Sequence, residues 1–185
     1  MHEDIAEILI HESTILARLD GIAREITRDF RGRGFTVVGI LNGSCIFLGD
    51  LLRRIPLPLK IECLSVASYH GGTKSSGEVS FLQSRMPDVK DRDVLLVDDI
   101  LDTGRTLAAV RHRLITGCGA LSVRSCVLLR KDIPREIDVA ADYVAFDIPD
   151  AFVVGYGLDY MGHYRNLPYV GILAPHATST KDTAD

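Results

Sequence analysis

The run Asp98-Asp99-Ile100-Leu101-Asp102-Thr103-Gly104-Arg105-Thr106 concentrates reactive residue types in one short stretch. The apolar residues Val94 to Val97 lead directly into a pair of adjacent acids. A third acid, Asp102, follows just before a Thr-Gly-x-Thr turn that opens a helical pattern. Free backbone N–H groups of such a turn, with the Thr103 and Thr106 hydroxyls, can hold a phosphate at a helix N-terminus. Gly104 lets a backbone come close there. The acids cannot contact the phosphate themselves, because like charges repel. They must face ribose hydroxyls, Mg²⁺ or a developing cation. The plainer alternative makes Asp102 a helix N-cap and leaves Asp98 and Asp99 as solvated strand-end acids. A lone Asp-Thr-Gly would favour that alternative, whereas the full run is far more specific.

A second junction, Leu41-Asn42-Gly43-Ser44, also joins an apolar strand to a helix. By its residues alone it is either a binding loop or a left-handed turn of the kind Asn-Gly favours.

These junctions need elements to position them. Residues 12–31 place Ile15, Leu16, Leu19, Ile22, Ala23 and Ile26 on one helical stripe, stopped by Arg31-Gly-Arg-Gly34. Thr36 to Leu41 is a short apolar strand. The next helix carries Ile46, Phe47, Leu48, Leu51, Leu52 and Ile55 and ends at Pro56. Further strands are expected at Leu59–Ala67, Asp93–Asp98, Val123–Leu129 and Asp142–Phe146, with strand-like runs at Phe152–Val154 and Tyr169–Leu173. Arg105–Thr116 reads as a helix stopped by Gly117 and Gly119. The small polar residues 70–78 read as a mobile loop, and the tail 175–185 as disordered. Short apolar strands alternating with helices imply an α/β fold with a mainly parallel sheet covered on both faces. Ligands of such sheets bind at the carboxyl ends of the strands.

The chain has 185 residues, 46% hydrophobic and 25% charged, with net charge −4. This suits one domain with a real core and gives no support for general nucleic-acid binding. No segment is apolar for the length of a membrane span, and Met1-His-Glu-Asp lacks the basic start of a secretion signal. The expected compartment is the cytoplasm. Cys45, Cys63, Cys118 and Cys126 show no CxxC spacing and are expected to be reduced core thiols. The histidines form no metal-ligand spacing; His2, His70 and His176 sit in polar stretches.

The segment around Asp98–Thr106 resembles the PRPP-binding motif of the type I phosphoribosyltransferases. The C-terminal run Ile148-Pro-Asp-Ala-Phe-Val-Val-Gly-Tyr-Gly-Leu-Asp-Tyr-Met-Gly-His-Tyr-Arg-Asn-Leu-Pro-Tyr-Val-Gly-Ile-Leu173 resembles their 6-oxopurine (hypoxanthine/guanine) branch almost throughout. Ser68-Tyr69 resembles the start of that branch's flexible active-site loop. The resemblance runs from about Ile8 to Leu173. It implies a twisted, mainly parallel sheet flanked by helices, with a small hood built from the N-terminal segment and roughly residues 148–174. It implies one domain over residues 1–174, and a homo-dimer or homo-tetramer.

The implied reaction joins a 6-oxopurine to the phosphoribosyl group of PRPP, releasing pyrophosphate. Its oxocarbenium-like state suits a carboxylate floor beneath the sugar, with Mg²⁺ and cationic groups on the leaving group. By resemblance, Asp98 and Asp99 lie under the ribose hydroxyls and help hold Mg²⁺. Asp102 is the implied acid or base at purine N7, and Thr103, Gly104, Arg105 and Thr106 hold the 5′-phosphate. Asn42 and Gly43 form the implied pyrophosphate loop, in which the peptide can be cis. Several relatives carry a basic residue where this chain has Asn42, so backbone N–H groups must bind more here. Arg165 is the implied second pyrophosphate contact. Lys131 would donate to purine O6, Phe152 would stack on the ring, Val153 would act through its backbone, and Asp159 would read the base or join a second metal site. On composition alone Lys131 is a solvated lysine, Arg165 a surface arginine and Phe152 as readily core as stacking surface. A loop following Ser68 and Tyr69 can exclude water. An RNA-binding regulator on the same fold should show a basic face, which the net charge does not favour. A transferase for adenine or a pyrimidine is disfavoured by Lys131 and the Phe152–Asp159 segment, through the resemblance.

Overall fold

A computed structural model describes residues 1–68 and 79–179. In chain order the elements are β1 (Ile5–Ile10), α1 (Glu12–Phe30), β2 (Phe35–Leu41), α2 (Cys45–Leu52), β3 (Leu59–Ser68), β4 (Val79–Phe81), β5 (Asp93–Leu101), α3 (Arg105–Thr116), β6 (Ser122–Lys131), β7 (Tyr143–Ile148), β8 (Val153–Val154), β9 (Val170–Leu173) and α4 (Pro175–Ser179).

The main sheet has the order β4-β3-β2-β5-β6-β7. Strands β3, β2, β5, β6 and β7 are parallel, and only β4 runs against its neighbour. Strands buried on both faces need apolar residues at every position, and Val94 to Val97 in β5 are all fully buried. The chain leaves β2 towards β3 and later returns to β2's other side as β5. The reversal of direction therefore falls between the carboxyl ends of β2 and β5, where open α/β sheets bind ligands. Both sequence junctions, Asn42–Ser44 and Asp98–Thr106, emerge at that crevice.

The two sheet faces carry separate cores. Ile15, Leu19, Ile22, Ile26 and Phe30 of α1 pack with Phe47 and Leu51 of α2 against one face. Leu107, Val110 and Leu114 of α3 pack with Val38, Leu96 and Val127 against the other. The stripe read in α1 is thus its buried face, and Ile22→Ala would cost about 2–5 kcal/mol. Gly39 makes room for α2, since a Cβ there would lie 2.5 Å from a Leu48 methyl.

A second, three-stranded sheet of order β1-β9-β8 forms the hood from both ends of the chain. Ile5, Val154, Leu173 and Ala177 close its small core. Among the described residues no helix is long and apolar enough to cross a membrane.

Several expectations need correcting. β1 and β4 are additional strands. β1 pairs with β9 through register shifts between Ile5 and Glu7 and between Ile8 and Ile10, which erase the alternation that marks a strand. The expected disorder from Pro175 does not hold for Pro175–Ser179, which form α4 with Ala177 buried against the hood; residues 180–185 lie outside the described residues. Only Cys126 is a core thiol. Cys45 at the start of α2 and Cys63 on β3 are exposed, and Cys118, in the turn after α3, is half-buried against the α3-side core. Ile46 is exposed as well.

Candidate active site

The β5–α3 junction supplies the floor. Asp98 and Asp99 lie near the carboxyl end of β5, and Asp98 is only 5% exposed. The Asp99 N–H donates to Asp98 Oδ1 at 3.0 Å, and the Ile100 N–H donates to Asp99 Oδ1 at 2.7 Å. Burial, and after it the adjacent Asp99 carboxylate, push Asp98 well above the ordinary carboxylate range. Burial raises Asp99 too, against the opposing pull of the Ile100 N–H. A buried acid pair of this kind calls for a cation or for hydroxyl donors.

Asp102 is not the N-cap of α3. That position is Gly104, with φ 84° and no side-chain cap bond. The Asp102 carboxylate instead lies 3.4 Å from Lys131 Nζ. Thr103, Gly104, Thr106 and Leu107 line a cavity of about 390 Å³ together with Gly43, Asp98, Asp99, Asp159 and Arg165. The uncapped first turn of α3 therefore opens on this cavity, as a phosphate cradle requires. Gly104 allows a close approach, but to the protein itself: a Cβ there would lie 2.6 Å from the Ile137 carbonyl oxygen. The Arg105 side chain turns away from the cavity and pairs with Glu136. What Arg105 brings to the cradle is backbone, and its N–H lies 3.4 Å from Thr103 Oγ1.

The β2–α2 junction forms the opposite wall. The Leu41–Asn42 peptide is cis, one bond before the Asn42–Gly43 link. Ser44 is buried and its hydroxyl donates to the Ile40 carbonyl, which fixes the turn. Gly43 is required by contact on both sides. A Cβ on Gly43 would lie 1.6 Å from Asp99 Oδ2, and one on Gly157 would lie 2.0 Å from the Gly43 carbonyl oxygen. Gly157 has φ 106°, which favours glycine as well.

The hood segment supplies the third side. Arg165 Nη2 pairs with Asp159 Oδ1 at 2.6 Å, and Arg165 Nη1 donates to the Gly157 carbonyl at 2.7 Å. The Gly162 N–H donates to Asp159 Oδ2 at 2.7 Å, which pins the carboxylate. Arg165 is thus anchored rather than a loose surface arginine.

A second, adjoining cavity of about 220 Å³ is lined by Asp99, Ile100, Asp102, Lys131, Ala151, Phe152, Val153, Leu158 and Asp159. Phe152 is 56% exposed, so it is not core; it stands edge-on to Tyr160 at the rim of this cavity. Lys131 Nζ also donates to Asp150 at 3.0 Å. Burial works against the Lys131 charge, but the hydrogen bond to Asp150 and the nearby Asp102 carboxylate outweigh it and raise the ammonium above its ordinary value. Lys131 is therefore a held, charged donor.

Among the expected site residues within the described part, Asn42, Ser68 and Arg105 line neither cavity, and the others line one or both. Ser68 ends β3 and pairs with Val79 of β4. Tyr69 and the loop expected at 70–78 lie outside the described residues. Sequence reasoning missed Asp150 and Gly157. Both stood inside the quoted C-terminal run, but their partners, Lys131 and Gly43, are distant in sequence.

Residues 6–161 match the model of the phosphoribosyl transferase domain. The chain belongs to the phosphoribosyltransferase family. Its twisted, mainly parallel sheet with helices on both faces and a hood from the chain ends is that family's fold, as a crystal structure of a hypoxanthine phosphoribosyltransferase from Staphylococcus aureus makes plain: TM-score 0.89, 42% identity, 97% of each chain covered. A hypoxanthine-guanine phosphoribosyltransferase of Staphylococcus aureus is 42% identical over 97% of this chain and 99% of its own length. The bifunctional protein TilS/HprT of Listeria monocytogenes is 45% identical over 97% of this chain, which spans 28% of that longer protein. Within this phosphoribosyltransferase the larger of the two cavities is lined by Asp98, Asp99, Asp102, Thr103, Gly104 and Thr106, and the smaller one adjoins it through Asp99, Asp102 and Asp159.

Proposed function

We propose that this chain transfers the 5-phosphoribosyl group of PRPP to a 6-oxopurine, hypoxanthine or guanine, yielding IMP or GMP and pyrophosphate in purine salvage. The observation that carries this reading is the shared wall of the two cavities. Asp99, Asp102 and Asp159 border both, so a sugar phosphate in one and a flat base in the other would meet over carboxylates. The new bond forms between ribose C1 and a purine imidazole nitrogen, and the bond to pyrophosphate breaks.

Each residue has a task its surroundings favour. Backbone N–H groups of Thr103 to Thr106 and the two threonine hydroxyls hold the 5′-phosphate. Asp98 and Asp99 accept from the ribose hydroxyls and stabilise positive charge as it grows on the sugar. Asp102 takes the proton from N7 as the base is glycosylated. Lys131, held by Asp150, donates to O6 and so selects oxo- over aminopurines. Phe152 stacks on the ring, and Val153 offers backbone groups to its edge. Asn42, Gly43 and Arg165 receive the pyrophosphate.

The carboxylate pair suits Mg²⁺. Two carboxylates whose burial raises their proton affinity, Asp98 further through the adjacent Asp99 charge, are relieved by a cation. Among the described residues no group of three or more His, Cys, Asp or Glu forms a complete metal cage. That fits a metal which keeps substrate oxygens and water in its shell. Bound with PRPP, Mg²⁺ would neutralise charge on the leaving pyrophosphate. Asp159 would contribute to a second metal contact only by sharing its pair with Arg165. The proposed compartment is the cytoplasm, and the proposed assembly a homo-dimer or homo-tetramer, which light scattering on the purified chain would check. The test of the function is a spectrophotometric assay with hypoxanthine, guanine, xanthine and adenine, each with PRPP and Mg²⁺. Turnover of 6-oxopurines but not adenine is expected; turnover of adenine alone would overturn the base assignment.

A further inference from the structure

Tyr156 is 1% exposed, yet it carries a hydroxyl that must be satisfied. That hydroxyl donates to Asp50 Oδ2 at 2.7 Å. Asp50 belongs to α2, the helix that follows the Asn42–Gly43 loop. The next residue after Tyr156 is Gly157, whose Cα presses on the Gly43 carbonyl in that same loop. Two consecutive residues of the hood segment therefore grip α2 at its body and at the loop before its first turn.

The same two residues fix Arg165. The Tyr156 N–H donates to the Leu167 carbonyl at 2.8 Å, and the Gly157 N–H donates to the Arg165 carbonyl at 2.9 Å. Arg165 returns the bond through Nη1 to the Gly157 carbonyl. Asp50 keeps its charge compensated by Arg53 Nη1 at 3.5 Å and Arg54 Nη1 at 3.9 Å. Burial, with the hydrogen bond to Asp50 second, raises the phenol well above its ordinary value, so it remains a donor at any working pH.

We propose that the Tyr156–Asp50 hydrogen bond is a positioning device for the leaving-group end of the site, setting the separation between the Asn42–Gly43 loop and Arg165. This rests on the reading that those groups hold pyrophosphate. Packing alone would need only the phenyl ring. The hydroxyl ties one helix to one hood turn in a single register; the Asn42–Gly43 loop leads into that helix, and Arg165 is bonded to that hood turn.

The full chain tests this through initial rates with PRPP and hypoxanthine varied separately. The variants are Tyr156→Phe, Asp50→Ala, the double variant and Arg165→Ala. Tyr156→Phe and Asp50→Ala should each raise KM for PRPP about tenfold, the scale of a lost hydrogen bond to a charged acceptor. KM for hypoxanthine should stay within about twofold, and the double variant should be no worse than either single one. Asp50→Ala keeps the test open if Tyr156→Phe fails to fold. An unchanged KM for PRPP in both single variants overturns the positioning role, as does an equal rise in both KM values or a multiplied loss in the double variant. If Arg165→Ala raises KM for PRPP while the other two do not, only the positioning role falls. If Arg165→Ala leaves it unchanged, the pyrophosphate reading falls and the positioning role with it.

Discussion

Gly43 sits against Asp99 so closely that the space a Cβ would take is already filled by the Asp99 carboxylate, with 1.6 Å between them. The loop after β2 and the acid pair after β5 are thus one object. Gly43→Ala must move either the carboxylate or the loop. Because a displacement near 1 Å in a positioned site costs about a hundredfold, kcat/KM for PRPP should fall at least that far. The hydrophobic cores do not reach this contact, so the melting temperature should change little. Steady-state kinetics beside a thermal melt checks both.

Asp102 and Lys131 are 3.4 Å apart at the wall between the cavities. Asp102→Ala removes the proposed proton acceptor but leaves the α3 phosphate turn intact. PRPP affinity measured by calorimetry should stay within about threefold, while turnover falls by about 10²–10⁴-fold. Unchanged turnover would remove Asp102 from catalysis.

If Asp98 and Asp99 hold PRPP with Mg²⁺ as proposed, PRPP binding is pH-dependent. Asp98 and Asp99 hold protons more tightly than ordinary carboxylates, by burial first. A protonated carboxyl cannot hold Mg²⁺, so bound Mg²⁺ and PRPP must displace the proton. KM for PRPP should therefore fall as pH rises through the raised Asp98 value, by up to about tenfold per pH unit below it. Asp98→Asn should flatten that dependence. The folding sign is opposite: with a folded-state pKa above the unfolded one, this pair favours the fold at low pH and loses that contribution as pH rises through the raised value.

Phe152 offers a test of base binding that spares the fold. It is 56% exposed, so Phe152→Ala should change stability by no more than about 0.5 kcal/mol. Loss of stacking should raise KM for hypoxanthine about tenfold with KM for PRPP nearly constant. Parallel substrate titrations measure the split.

The residues also explain what the sequence could disclose. Val94 to Val97 are apolar at every position, which only a strand covered on both faces requires, and β5 is such a strand. The stripe from Ile15 to Ile26 matched the buried face of α1 because that helix packs along its whole length. Asp98 to Thr106 are contiguous, so their shared cavity was legible from spacing. Of the hood's strands, β8 and β9 were legible as short apolar runs, but β1 was not, because it meets β9 with two register shifts. The direction of Arg105 was hidden for a different reason: its partner, Glu136, lies on a distant loop. Cys63 looked like core since its strand is apolar, but the structure leaves it exposed. Contacts such as Gly43 with Gly157 depend on two chain segments meeting, and no local pattern encodes that.

The central claim is that one chain joins a phosphoribosyl group to a 6-oxopurine. The most direct measurement incubates the purified chain with PRPP, Mg²⁺ and hypoxanthine or guanine and resolves the products by chromatography. The account predicts a nucleoside monophosphate and pyrophosphate in equal amounts, and neither when the base is left out. No nucleotide from any purine base, or pyrophosphate released without nucleotide, would contradict it.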